Sequence, residues 1–247
     1  MADIQVAMIN ASTVLQDSQV QAIVPALQTQ VHRDFAPVWG VDADLTFVGH
    51  GATAPSGSWW LTVLDNSDQA GALGYHDLTD EGLPMGKSFA GTDIQAGNSW
   101  TATVSHELLE MLGDPDVNLC AYTQKDGGGM VLYAYEVCDA CEADSAGYNI
   151  DGSLVSDFVY PAWFESFRKP GSAQFDYRSL IKQPFQLLED GYISQFDTSN
   201  TDGWTQASPQ RLGRYAMRAP VGSRRERRRI PRRQWLSSEV KTAGAAR

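Results

Sequence analysis

Residues 98–115, Asn-Ser-Trp-Thr-Ala-Thr-Val-Ser-His-Glu-Leu-Leu-Glu-Met-Leu-Gly-Asp-Pro, constrain the chain more than any other segment. Asn98 or Ser99 can cap a helix over 99–112, Gly113 ends it, and Pro115 prevents its resumption. Trp100, Val104, Leu108 and Met111 fall on one side and need a sheet to cover them. His106 and Glu110, one turn apart, share the opposite side within about 40°. Glu107 projects about 100° away from His106. The fold must therefore bury one face of this helix while grouping an imidazole and two carboxyls on another.

The rest of the N-terminal part supplies that sheet. Residues 4–9 alternate and are branched, so they read as a strand. A helix follows, with Asp17 or Ser18 as cap, Val20, Ile23, Val24, Leu27 and Val31 at helical spacing, and Pro37 at its end. Residues 45–48, 59–64, 72–76 and 87–90 read as further strands. Beyond Pro115 the signals are irregular. Turns are expected at 125–129 and 149–153, strands at 131–137 and 154–160, and a small aromatic core from Phe158, Tyr160, Trp163 and Phe164. The expectation is an α+β chain: a mixed twisted sheet with an active-site helix over 1–117, a smaller irregular subdomain over 118–206, and a basic tail over 207–247, disordered by composition.

Charge follows the same division. Residues 1–210 hold 7 Lys/Arg against 28 Asp/Glu, and residues 211–247 hold 12 against 2. The tail suits a polyanion or the acidic body itself. No aromatic falls within the run 224–233, with Trp235 just after it and Tyr215 ahead of it, so base stacking is not encoded. No apolar run approaches the ~18–20 residues of a membrane span. Met1-Ala2-Asp3 carries an acid where a secretory leader has basic residues, so a cytoplasmic protein is expected, with virion association or signal-less export as alternatives. Cys120, Cys138 and Cys141 do not make a disulfide framework, and the single CxxC cannot close a tetrahedral zinc site, so buried thiols are expected. The chain has no P-loop, and it has no G-x-S-x-G elbow, which disfavours a serine hydrolase.

With four His and nine Glu in 247 residues, a chance His-Glu-x-x-Glu has an expectation of roughly one in two hundred. The segment resembles the HExxH helix of the zincin metalloproteases, with Glu110 in place of the second His. Gly113 and Asp116 stand where the metzincin extension has its glycine and third ligand, giving HExxExxGxxD. The preceding order of strand, helix, strands and active helix is also similar to the zincin N-terminal subdomain. The resemblance implies a metal-dependent peptidase, with Zn²⁺ as the metal and Mn²⁺ or Ca²⁺ as alternatives, since carboxylate ligands reduce selectivity for zinc. His106 and Glu110 would be ligands. Glu107 would be the general base toward metal-activated water. The substrate would be an extended peptide or protein aligned along an edge strand near 72–76.

The third ligand stays open between Asp116 and Glu136, with Asp114, Asp139 and Glu142 as further candidates. Glu136, Asp139 and Glu142 would face one way if helical. Met130 is in range for a methionine beneath the metal, but nothing marks a turn there. His76 is expected to be a surface histidine. The strings SHELLEMLGDP, YAYEVCDACEAD and VSDFVYPAWF are similar to those of bacterial and phage proteins of comparable length. The alternatives are a non-catalytic zincin-like structural or particle-associated protein whose metal site is structural or vestigial, and a Ca²⁺-stabilised binding protein.

Overall fold

In the computed structural model, residues 4–69 and 72–209 are described. Strand β1 (Ile4–Asn10) pairs in parallel with β2 (Ala43–Val48) and β3 (Trp59–Leu64). Strand β5 (Pro84–Phe89) adds in parallel to β3, and β4 (Gly74–Leu78) closes the edge antiparallel to β5. The order β2-β1-β3-β5-β4 makes a mixed five-stranded sheet. The expected strands near 72–76 and 87–90 lie at Gly74–Leu78 and Pro84–Phe89.

Side-chain alternation divides the sheet into two faces. Val6, Met8, Leu61 and Val63 enter the main core, while Ala7, Ile9, Trp60 and Met85 form a separate cluster. Helix α1 (Asp17–Thr29) buries Val20, Ile23 and Leu27 against the first face. Its N-cap is Gln16, whose N–H is accepted by Gln19 Oε1 at 2.9 Å. Asp17, one of the expected caps, instead accepts from the Asn10 side chain at 2.8 Å and the His50 N–H at 3.0 Å. Pro37 does not end the helical path. A π-helical stretch, Gln30–Phe35, leads into α2 (Ala36–Trp39), and Gly40 at φ 71° stops it. Pro37 thus sits in the first turn of α2, where its missing N–H is not needed.

Helix α3 (Ala90–Ala96) follows β5, and α4 (Trp100–Gly113) lies against β3, β4 and β5 with Val104, Leu108, Leu109, Met111 and Leu112 in the core. The later residues form a four-stranded antiparallel sheet, β11-β10-β7-β6, from β6 (Cys120–Gln124), β7 (Met130–Ala134), β10 (Ile193–Asp197) and β11 (Trp204–Ala207). Strands β8 (Tyr148–Ile150) and β9 (Ser153–Val155) make a hairpin on the expected Asp151-Gly152 turn, with φ of 49° and 88°.

The strand expected over 154–160 stops at Val155. The Ser156 N–H goes to Ser105 Oγ and the Phe158 N–H to the Asp157 carboxylate, so both leave the ladder. Phe158, Trp163 and Phe164 join the same apolar cluster as α1 and α4. From residue 210 onward the basic segment lies outside the described residues. Among the described residues, no helix is long and apolar enough to cross a membrane.

Candidate metal centre

Helix α4 reaches the sheet closely at Glu107 because two neighbouring strands carry glycine there. A Cβ built at Gly74 would lie 2.7 Å from Glu107 Cγ and 2.8 Å from Cδ. One built at Gly86 would lie 3.3 Å from both Glu107 Cβ and its carbonyl oxygen. The Glu107 side chain therefore occupies a cradle on β4 that any side chain at 74 would fill. Glu107 is buried, and its Oε2 has no hydrogen-bond partner among the described residues.

One turn spans His106 and Glu110, as helical spacing requires, with Nε2 3.2 Å from Oε1. Two other segments converge on them. From β4, His76 places Nδ1 3.4 Å from Glu110 Oε2 and Nε2 3.5 Å from Glu136 Oε2. From the segment after β7, Asp139 Oδ1 stands 3.3 Å from His106 Nε2, and the Cys138 N–H donates to Glu110 Oε1 at 3.3 Å.

That later segment is held firmly. The Tyr135 ring stacks on Phe164 with centroids 4.1 Å apart and meets Trp39 edge-on at 5.4 Å. Val137 packs on the end of α4, where a Cβ at Gly113 would lie 2.9 Å from its Cγ1. Gly113 is helical and absent from the positive-φ residues, so its small size serves Val137 rather than the helix end expected from sequence. The Val137 carbonyl accepts from Val159 at 2.7 Å, and the Asp139 carbonyl accepts from Tyr192 at 3.0 Å.

Donor atoms fall into two sets whose members lie within 4.8 Å of one another: His106, Glu110 and Cys138, and His76, Glu110 and Glu136. Asp116 is exposed beyond the helix and belongs to neither set. Asp114 is buried, and its carboxylate accepts the N–H groups of Asn118 and Leu119 at 3.0–3.1 Å, which folds the turn after α4. Asp139–Cys141 is a short 3₁₀ turn, so Glu136, Asp139 and Glu142 do not line one helix face. Met130 is exposed at the start of β7. His76, expected at the surface, is 5% exposed and enclosed by the carboxylates. Its one sequence signal was its place on a short strand beside Gly74. Cys138 and Cys141 are buried thiols, as expected, while Cys120 is exposed.

Electrostatics at the centre are set by burial and by the alternation of signs. Burial pushes the Glu107 carboxyl up to about 8, with His106 opposing and Glu110 adding to the rise. Burial also disfavours charge on Glu110, but the two imidazoles outweigh it and hold that carboxyl well below the ordinary range. Burial would lower His76, yet Glu136 and Glu110 carry it up to about 9. His106 rises for the corresponding reason, beside Glu110 and Asp139. Burial raises both Asp139 and the Cys138 thiol.

Imidazole nitrogen, carboxylate oxygen and thiol sulfur together suit a divalent d-block cation better than an all-oxygen cage would. The stranded Glu107 oxygen and the cradle at Gly74 fit the same assignment: a carboxyl kept beside the donor sets without belonging to either. No protein-family model, curated protein or solved structure matches the chain.

Proposed function

We propose that the chain is a zincin-like, metal-dependent peptidase in which the His106–Glu110 pair of α4 holds a divalent cation, with Zn²⁺ first by donor chemistry. The observation that carries this reading is convergence. Donors from α4, from β4 and from the segment after β7 meet on one face of a single helix. The strand and helix order ahead of α4 supports the zincin resemblance. Cys138, Asp139 and Glu136 are the candidates to complete the ligand set, and Asp116 is left out of it.

A cation bound there supplies Lewis-acid polarisation of a carbonyl and acidifies water. The chain's own residues supply the rest. His106 and Glu110 ligate from a rigid helix. Glu107, adjacent in sequence but turned toward Gly74, carries a carboxyl that can hold or accept a proton at Oε2 near neutral pH. Among the described residues β4 is the last strand of the five-stranded sheet, beside β5, and is the element along which an extended peptide would align.

A second reading, a metal held for structure alone, is favoured by one observation: Glu107, Glu110 and Asp139 are each only 4% exposed, which leaves little of them for a substrate. Metal content and peptide turnover are measured on the full chain, His106→Ala and Glu107→Gln. The peptidase reading expects bound Zn²⁺ and turnover in wild type, loss of turnover and of the ion held by His106 in His106→Ala, and retained metal without turnover in Glu107→Gln. Metal without turnover in wild type gives the structural reading. No metal in wild type ends both.

A further inference from the structure

Glu110 is the only residue common to both donor sets, and it uses a different oxygen toward each imidazole. Oε1 faces His106 at 3.2 Å and Oε2 faces His76 at 3.4 Å. The two imidazoles fall in different sets, so a single ion would have to choose between them. Each set brings one imidazole nitrogen, one Glu110 oxygen and one further anionic donor. These are the elements of a carboxylate-bridged pair of ions, which in two-metal sites lie about 3.5–4 Å apart.

We propose that the centre holds two divalent cations bridged by the Glu110 carboxylate. One is on His106 Nε2, Glu110 Oε1 and the Cys138 sulfur; the other is on His76, Glu110 Oε2 and Glu136. This extends the metal-dependent reading above and rests on its ligation by His106 and Glu110.

Charge favours the pair. Glu107, Glu110 and Asp139 are buried carboxyls, with the partly buried Glu136 beside them, against only two imidazoles. A cation displaces the protons from its donors and creates anionic groups there, and a second cation offsets those that the first leaves over. The donor sets also differ. The thiol-containing set favours zinc, whereas the nitrogen-and-carboxylate set takes Mn²⁺ as readily, so Mn²⁺ fills both only in excess and with no zinc present. The second cation gives His76 a role that the HExxE helix does not foresee. An imidazole missing from α4 is returned from the sheet edge, to a neighbouring ion rather than to the first one.

The test loads the chelator-stripped full chain with Zn²⁺ alone and counts bound metal by titration calorimetry and elemental analysis. Two equivalents are expected in wild type. One is expected in His76→Ala and in Glu136→Gln, one in His106→Ala, and at most one weakly held in Glu110→Gln. Glu136 lies outside both α4 and β4, so Glu136→Gln serves should His76→Ala fail to fold. Loading with Mn²⁺ adds a readout for the bridge, an exchange-coupled electron paramagnetic resonance signal that Glu110→Gln abolishes. One equivalent in wild type, unchanged in both His76→Ala and Glu136→Gln, overturns the second site while leaving His106–Glu110 ligation standing. Zero equivalents overturns both. Two equivalents with magnetically independent Mn²⁺ overturns the bridge.

Discussion

Gly74→Ala tests the packing of Glu107 on β4. Gly74 does not have a positive φ, so alanine meets no backbone strain there. The added methyl would lie 2.7 Å from Glu107 Cγ and 2.8 Å from Cδ. Cδ can swing away about χ2, but Cγ moves only with χ1, so relief needs a change at χ1, and the approach of Gly86 to Glu107 Cβ limits it. Overpacking of this kind costs about 1–3 kcal/mol. Alanine in place of glycine offsets about 0.4–1 kcal/mol of that through the unfolded chain. A net loss of about 1–2 kcal/mol follows, which for a chain of this length lowers Tm by roughly 2–8 °C.

Cγ and Cδ are absent in Glu107→Ala, so the same substitution in that background should be neutral or slightly stabilising. Chemical denaturation of the wild type, both single variants and the double variant gives the coupling energy directly. The expected value is about 1–3 kcal/mol in favour of the double variant. Equal destabilisation by Gly74→Ala in both backgrounds would refute the claim that β4 carries glycine at this position for the sake of Glu107.

Further outcomes follow from other parts of the molecule. Gln30→Leu removes hydrogen bonds to Ser105 Oγ at 2.7 Å and to the Ser156 carbonyl at 2.9 Å. It should lower unfolding free energy by about 2–3 kcal/mol in urea titration, and an unchanged midpoint and slope would count against this bridge. Asp157, buried against Asp176, has its carboxyl raised to about 8 by burial and by that neighbour. The folded state therefore keeps a proton that the unfolded state releases above about pH 4, and this group's contribution to stability falls as pH rises from about 4 to 8. Asp157→Asn should flatten that part of the stability–pH curve, and a parallel curve would sink the assignment. Stripping metal with a chelator should lower Tm by roughly 5–10 °C relative to protein at a hundredfold excess of Zn²⁺ over its Kd, since that excess contributes about 2.7 kcal/mol. An identical Tm in calorimetry would mean that no metal binds the folded state.

Local physics made α4 legible in the sequence. Its N-cap at Ser99, its apolar stripe and the spacing of His106 and Glu110 are all set within one helix and reappear in the fold, while the end expected at Gly113 falls one residue later, at Asp114. Strand β1 was legible for the same reason, because alternation is a local signal, and β3 because its run of apolar and β-branched residues is one too. The path after Thr29 was not. The π-helical stretch changes the hydrogen-bond register, which turns Pro37 from a stop into a first-turn residue. His76 was illegible because its place depends on antiparallel pairing with β5, which sets it opposite Gly86 and under α4. The acids at 136, 139 and 142 were visible, but their directions were not. The chain there is a short turn held by Tyr135, Val137 and the Asp139 carbonyl, so Glu136 goes to His76 and Asp139 to His106.

Gln30 explains how the two halves of the centre keep their spacing. It leaves α1 at the start of the π-helical stretch, fully buried, and its Oε1 accepts from Ser105 Oγ at 2.7 Å. Ser105 immediately precedes His106. The same Ser105 oxygen accepts the Ser156 N–H at 2.9 Å, and Gln30 Nε2 donates to the Ser156 carbonyl at 2.9 Å. One amide thus closes a ring between α4 and the segment after β9. That segment in turn reaches Val137 through the Val159 N–H. The His106 side of the centre and the Glu136–Asp139 side are therefore joined by a buried polar network as well as by apolar packing. Apolar contacts alone would tolerate sliding of α4 by a fraction of an ångström, whereas directional hydrogen bonds do not. A π-helical turn at Gln30, a costly local geometry, is understandable as the means of aiming that amide at Ser105.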